Sequence, residues 1–273
     1  MSRRLFRRHV ALPADHGSWI FLLSPLLIGL FAGGRWSIIT LYLVVASLAA
    51  FLARQPLTII VKILSGRRGR EDLVPAIFWT AVYGGIAALH ITGLVLRGFG
   101  YVLLLALPGL PVFAWYLWLV SRRAERRQIL IEILATGALA LSAPAAYWIG
   151  VGWPEPTGWL LWVLAWAQSA ASILHTLMRL EQRQLRSSPS ASERWRMARP
   201  ALAATTFNLV AAIALGLTRV TPGWLFAPFA VQWLETMWCA SNPAIGAKPT
   251  AVGLRQLTVS AIFTALFILA WSL

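Results

Sequence analysis

Apolar runs near twenty residues long alternate with short basic stretches along the whole chain. Nine such runs can be drawn, at about 17–34, 36–53, 75–96, 99–120, 129–151, 158–178, 200–218, 223–240 and 255–273. Each is close to the ~20 residues that carry an α-helix across a bilayer. The pattern predicts an all-α polytopic integral membrane protein with nine transmembrane helices, one transmembrane domain over residues 1–273. A basic start lies at 1–14, and longer polar stretches lie at 54–74, 121–128, 179–199 and 241–254. The piece PLTIIVKIL opens the first of these stretches and is predicted as a short interfacial or re-entrant helix. Residues 179–199, rich in Arg and Ser, are predicted to lie on the membrane surface, where anionic lipid attracts them.

Charge supplies the orientation that the apolar pattern leaves open. Of 24 Lys and Arg residues, all but Arg35, Arg97 and Arg219 fall at the start of the chain or in every second loop. Lys and Arg accumulate in cytoplasmic loops, so the N-terminus is expected in the cytoplasm and the C-terminus outside. The net charge of +15 is divided among short clusters between apolar runs, which argues against nucleic acid as a partner. A hydrophobic share of 59% and a charged share of 12% exclude an ordinary soluble domain, which carries about 25% charged residues. Several of the 15 Trp residues, among them Trp36, Trp153, Trp159, Trp224 and Trp271, stand near span ends, as interfacial anchors do.

Polar residues inside apolar runs are costly and therefore informative. Glu132 lies one turn into the fifth run, His175 near the inner end of the sixth and Glu235 in the inner half of the eighth. Arg54, Lys62, Arg179 and Glu181 stand at or just beyond inner helix ends, with Asn242, Lys248 and Arg255 around the last two. His175 and Arg179 are four apart and share a helix face. At the mouth of the first run, Pro13 and Asp15 start and cap a helix and Trp19 anchors it, which leaves His16 and Gly17 without a structural role. This polarity is biased to the cytoplasmic half, as a pocket open to the inner leaflet would be. Single basic residues at such ends commonly act as topology anchors instead, and a lone membrane Glu or His can simply join two helices. Cys239, the single cysteine, falls in an apolar run and reads as a small buried hydrophobe. No His/Cys spacing suits zinc, no phosphate-binding loop is present, and the one adjacent acidic pair, Glu71-Asp72, sits beside Arg67, Arg68 and Arg70. No metal and no cofactor are expected, and no catalytic set is assigned.

The run LPADHGSWIFLLSPLLIGLFAGG resembles the start of YwiC-like bacterial membrane proteins, with its Pro-x-x-His-Gly-x-Trp pattern. FLARQPLTIIVK and KPTAVGLRQL add to the likeness. The resemblance implies a bacterial inner-membrane location but no particular activity. A more remote similarity, in topology more than in residues, is to UbiA-type membrane prenyltransferases. These have nine helices, an inner N-terminus, and Asp-rich loops after helices two and six that hold Mg²⁺ on a prenyl diphosphate. Here the first such loop reads Arg54-Gln55-Pro56 through Lys62, without an acid, and the second runs from His175 through Arg179 to Glu181. Several oxygen ligands per Mg²⁺ are missing, so standard Mg²⁺-dependent prenyl transfer is not expected. Arg and Lys can bind a phosphate or carboxylate directly. The expectation is a UbiA-like bundle that binds a lipid or isoprenoid by an anionic head group at the cytoplasmic leaflet. His16, Arg54, Lys62, Glu132, His175, Arg179, Glu181 and Glu235 are its candidate ligand-binding residues. A non-catalytic subunit or assembly factor with protein partners in the membrane, and a small-solute transporter, are the alternatives.

Overall fold

The computed structural model describes residues 5–13, 16–124 and 128–273. Their order is a short helix α1 (Arg8–Ala11), then α2 (Ile20–Gly33), α3 (Ile38–Leu64), α4 (Leu73–Leu96) and α5 (Gly109–Ser121). There follow α6 (Ile129–Ala140), α7 (Ser142–Val151), α8 (Pro156–Gln182), α9 (Ala191–Leu217), α10 (Phe226–Ser241) and α11 (Pro249–Ser272). Among the described residues, seven helical segments are long and apolar enough to cross a membrane, so the chain reads as a multi-pass membrane protein. Two of the nine runs give shorter helices, α2 with 14 residues and α10 with 16. Each is preceded by a 3₁₀ turn, at His16–Trp19 and Gly223–Leu225. Turn and helix together span about 30 Å in each case, the thickness of a hydrocarbon core.

Three helices are longer than the apolar pattern indicates. α3, α8 and α9 each have 27 residues, about 40 Å, so each carries roughly two extra turns beyond the hydrocarbon. The PLTIIVKIL piece is neither interfacial nor re-entrant: it is the last third of α3, continuous through the buried Pro56. Proline removes one helical hydrogen bond, and here the flanking turns carry the helix across the gap. The 179–199 stretch contracts likewise to a link over 183–190. Its far end is fixed by a capping box, in which Ser190 accepts from the Glu193 amide and the Glu193 side chain accepts from the Ser190 amide.

The centre of the bundle is α7, whose residues Ser142 to Gly150 are all buried. It continues α6 across a one-residue break at Leu141, three residues before Pro144. Proline at that point cannot donate to the Ala140 carbonyl, which accounts for the bend. Against α7 lies α2, at backbone contact. A Cβ on Gly29 would stand 2.1 Å from the Ala143 carbonyl oxygen, and one on Gly150 would stand 2.6 Å from the Gly33 Cα. Gly29 and Gly33 are four apart, the small-residue spacing that lets two membrane helices meet closely. Polar groups add to the join: Thr264 of α11 donates to Ser24 of α2 at 2.6 Å, tying the two ends of the chain. An edge-to-face pair of Phe229 and Phe263, extended by the tilted ring of Phe267, packs between α10 and α11.

Candidate functional site

Helices α8, α10 and α11 share a seam of buried polar side chains. Gln168 donates to Ser172 and Ser260, and Gln232 donates to Ser172 and to the Gln168 carbonyl. The seam continues to Thr236, whose hydroxyl donates to the Gln232 carbonyl at 2.9 Å. A hydroxyl has one proton, so at 3.1 Å from Thr236 Oγ1 the His175 Nδ1 must be the donor. That fixes the tautomer and leaves Nε2 of His175 with its lone pair.

One turn beyond His175, Arg179 is buried and feeds the C-terminus of α10. Its Nη1 donates to the carbonyls of Cys239 (3.2 Å) and Asn242 (2.7 Å) and to Gln182 Oε1 (2.9 Å). Terminal carbonyls of a helix lack partners within it and favour a cation, which explains an Arg at this depth. Among the described residues nothing accepts from Nε or Nη2 of Arg179. Glu235 receives a two-point contact from Arg255 of α11, with Nη2 to Oε2 at 2.9 Å. Arg255 also lies over the Trp238 ring, 4.1 Å from its centroid. Cys239 donates its thiol proton to Glu235 Oε1 at 3.2 Å.

Of these groups, His175, Arg179 and Arg255 line a cleft of about 420 Å³, together with Gln256 and apolar residues including Ala251, Val252 and Leu254. The segment 242–248, whose Ala247 lines the cleft, is held to α8 through its own backbone atoms. Arg183 Nε donates to the Ala247 carbonyl, the Gly246 amide donates to the Arg183 carbonyl, and the Ala244 amide donates to Gln182 Oε1.

Of the eight residues singled out in the sequence, His175, Arg179 and Glu235 meet here. Arg54 and Lys62 do not line the cleft. Arg54 donates to Ser18 Oγ at 3.3 Å and lies over the Phe51 ring, fastening the entry of α2 to α3. Lys62 is half-buried in the last turn of α3, and Glu132 and Glu181 are exposed. The backbone of His16 belongs to the 3₁₀ turn at His16–Trp19, but its side chain, like Asp15, lies outside the described residues. Cys239 and Arg255 join the cluster, although their places in the sequence suggest only packing and flanking roles. The i, i+4 pair Glu235–Cys239 was the available signal, a carboxylate and a thiol on one helix face.

A second polar cluster gathers the start of the chain. Asp72, buried, takes contacts from Arg7 (2.6 Å), Arg68 (2.6 Å) and His9 (3.3 Å). Gln55 donates to the His9 carbonyl, Trp79 to Leu5 and Tyr83 to Ala11, so this segment is strapped onto α3 and α4. The neighbouring Arg67 reaches the Val120 carbonyl at the end of α5.

Comparison with known proteins finds no match among curated proteins and none among solved structures. The residues of the cleft all lie beyond the part of the chain that matches a family. Residues 12–147, just under half of the chain, match the model of the family described as YwiC-like protein, and over that stretch the chain is similar to YwiC-like proteins.

Proposed function

We propose that this protein binds an amphiphile with an anionic head group, a lipid or isoprenoid, in the cleft between α8 and α11. The observation that carries the reading is Arg179. Three acceptors use one nitrogen of its guanidinium, and Arg179 lines a cleft shared with the apolar residues Ala247, Ala251, Val252 and Leu254. A guanidinium in a low-dielectric surround attracts phosphate or carboxylate more strongly than one in water. Apolar residues of α11 offer the tail a dry path.

The reading carries a topology with it: nine crossings in a UbiA-like bundle, the N-terminus in the cytoplasm, the C-terminus outside, in the inner membrane of a bacterial cell. The distribution of Lys and Arg and the ~30 Å length of α2 and α10 with their turns support it. The head-group set is Arg179, with Arg255 held in reserve on Glu235. Arg54 is not in it, because its guanidinium is engaged at Ser18 and Phe51.

Mass spectrometry of co-purified lipids tests the proposal. An anionic amphiphile is expected to be enriched on the wild type, depleted on Arg179→Ala and retained on Arg54→Ala. Equal lipid profiles for all three proteins would sink it.

A further inference from the structure

We infer that His175, Glu235 and Cys239 form a binding site for one divalent transition-metal ion of the zinc class, with its fourth position open to the cleft. A ring nitrogen of His175, a carboxylate oxygen of Glu235 and the Cys239 sulfur all lie within 4.8 Å of one another. Ligands around a tetrahedral ion, about 2.0–2.3 Å from it, stand roughly 3.3–3.8 Å apart, so the three side chains would draw in by about 1 Å on binding. Imidazole, thiolate and carboxylate are the ligand types that zinc takes, and three protein ligands with one vacant direction is the arrangement of a reactive rather than a structural site.

The surroundings are arranged as a metal site requires. Thr236 holds Nδ1 of His175 as the donor, so Nε2 is the free ligand nitrogen and the ring cannot turn without losing that bond. Arg255 can keep Oε2 of Glu235 while Oε1 turns to the ion, since a carboxylate has lone pairs for both. Oε1 already accepts from the Cys239 thiol, so the two ligands are in register before an ion arrives. On binding, the S–H bond breaks, its proton passes to solvent, and the sulfur–metal bond forms with no change of oxidation state. A 2+ ion and one new thiolate raise the local charge by one unit beside Arg179 and Arg255. An anionic oxygen donor from the cleft would offset that unit. The site stands without the amphiphile reading, because its three protein ligands do not depend on what fills the fourth position.

The single cysteine makes the test specific. Tag-free protein, stripped with a chelator, is titrated with Co²⁺ and followed for the near-ultraviolet thiolate-to-cobalt charge-transfer band. Zinc stoichiometry is measured in parallel by mass spectrometry of the metal. One ion per chain and a clear band are expected for the wild type. Cys239→Ser, a one-atom change, should lose the band while eluting as the same species on size exclusion. His175→Ala and Glu235→Gln should weaken Co²⁺ by at least about tenfold. No band and no stoichiometric zinc on the wild type would overturn the proposal. So would a band that survives in Cys239→Ser. A band that persists in Arg179→Ala, where co-purified amphiphile is gone, supports the metal site apart from the anion reading.

Discussion

Asp72 shows how far a single side chain can act in this chain. It is buried at the foot of α4 and accepts from two guanidiniums and an imidazole. Arg7 and Arg68 are each about a third exposed (30% and 33%), so water screens part of the attraction. Asp72→Asn keeps the shape and removes the charge. It is expected to cost about 1–3 kcal/mol, the usual range for a lost charged hydrogen bond, read as earlier thermal unfolding in detergent. A change no larger than that of Glu71→Gln, on the exposed neighbour, would refute the role. Half of this was legible in the sequence. Arg68 and Asp72 stand at i, i+4, and a basic neighbourhood was plain. Arg7 and His9 are more than sixty residues away, and no local spacing can indicate such a pairing. The cleft follows the same rule: His175 and Arg179 were legible as one helix face, whereas Arg255 reaches Glu235 only through the packing of α11 on α10.

At the scale of elements, the close pair α2–α7 is the most exacting join. Gly29→Ala forces a methyl into the Ala143 carbonyl and should destabilise by about 1–3 kcal/mol through overpacking. Gly84, where an added methyl would meet nothing within 4 Å, is the matched control; Gly84→Ala in α4 should be neutral or slightly stabilising, because alanine favours a helix. Thermal unfolding of the two variants side by side decides the point. Helix existence was legible from hydropathy, and helix length was not. A hydropathy window measures how much chain lies in hydrocarbon, and it stops at Arg54 or at Pro200. The helices run on past both, because backbone hydrogen bonding does not require apolar side chains. The polar ends of α8 and α9 therefore looked like loops, and the end of α3 beyond Arg54 looked like a separate interfacial or re-entrant helix.

Among the described residues, two clusters of charged side chains stand apart from each other. Asp72 and Arg68 lie in the half similar to YwiC-like proteins, and the cleft lies in the other half. The proposed topology gives these halves a common inner side. In a Cys239→Ser background, a cysteine placed at Gly98 should react with a membrane-impermeant maleimide in intact cells. One placed at Ser188 should react only after lysis. The reverse pattern would invert the topology, and labelling of both would break the nine-span reading. The residue-charge pattern carries an expected orientation that this labelling tests, while the position of the cleft depended on which helix ends meet.

The wall of the cleft at 242–248 has a consequence for how this protein can change over generations. Its ties to α8 run through main-chain amides and carbonyls, with Arg183 and Gln182 as the side chains that reach across. Selection for the shape of the cleft therefore presses on α8 and on Ala247, and leaves the identity of the exposed Ile245 largely open. Gly246 is constrained too, since its φ of +65° excludes branched side chains. The stretch that looks most dispensable in the sequence can drift in composition while the cavity behind it keeps its outline.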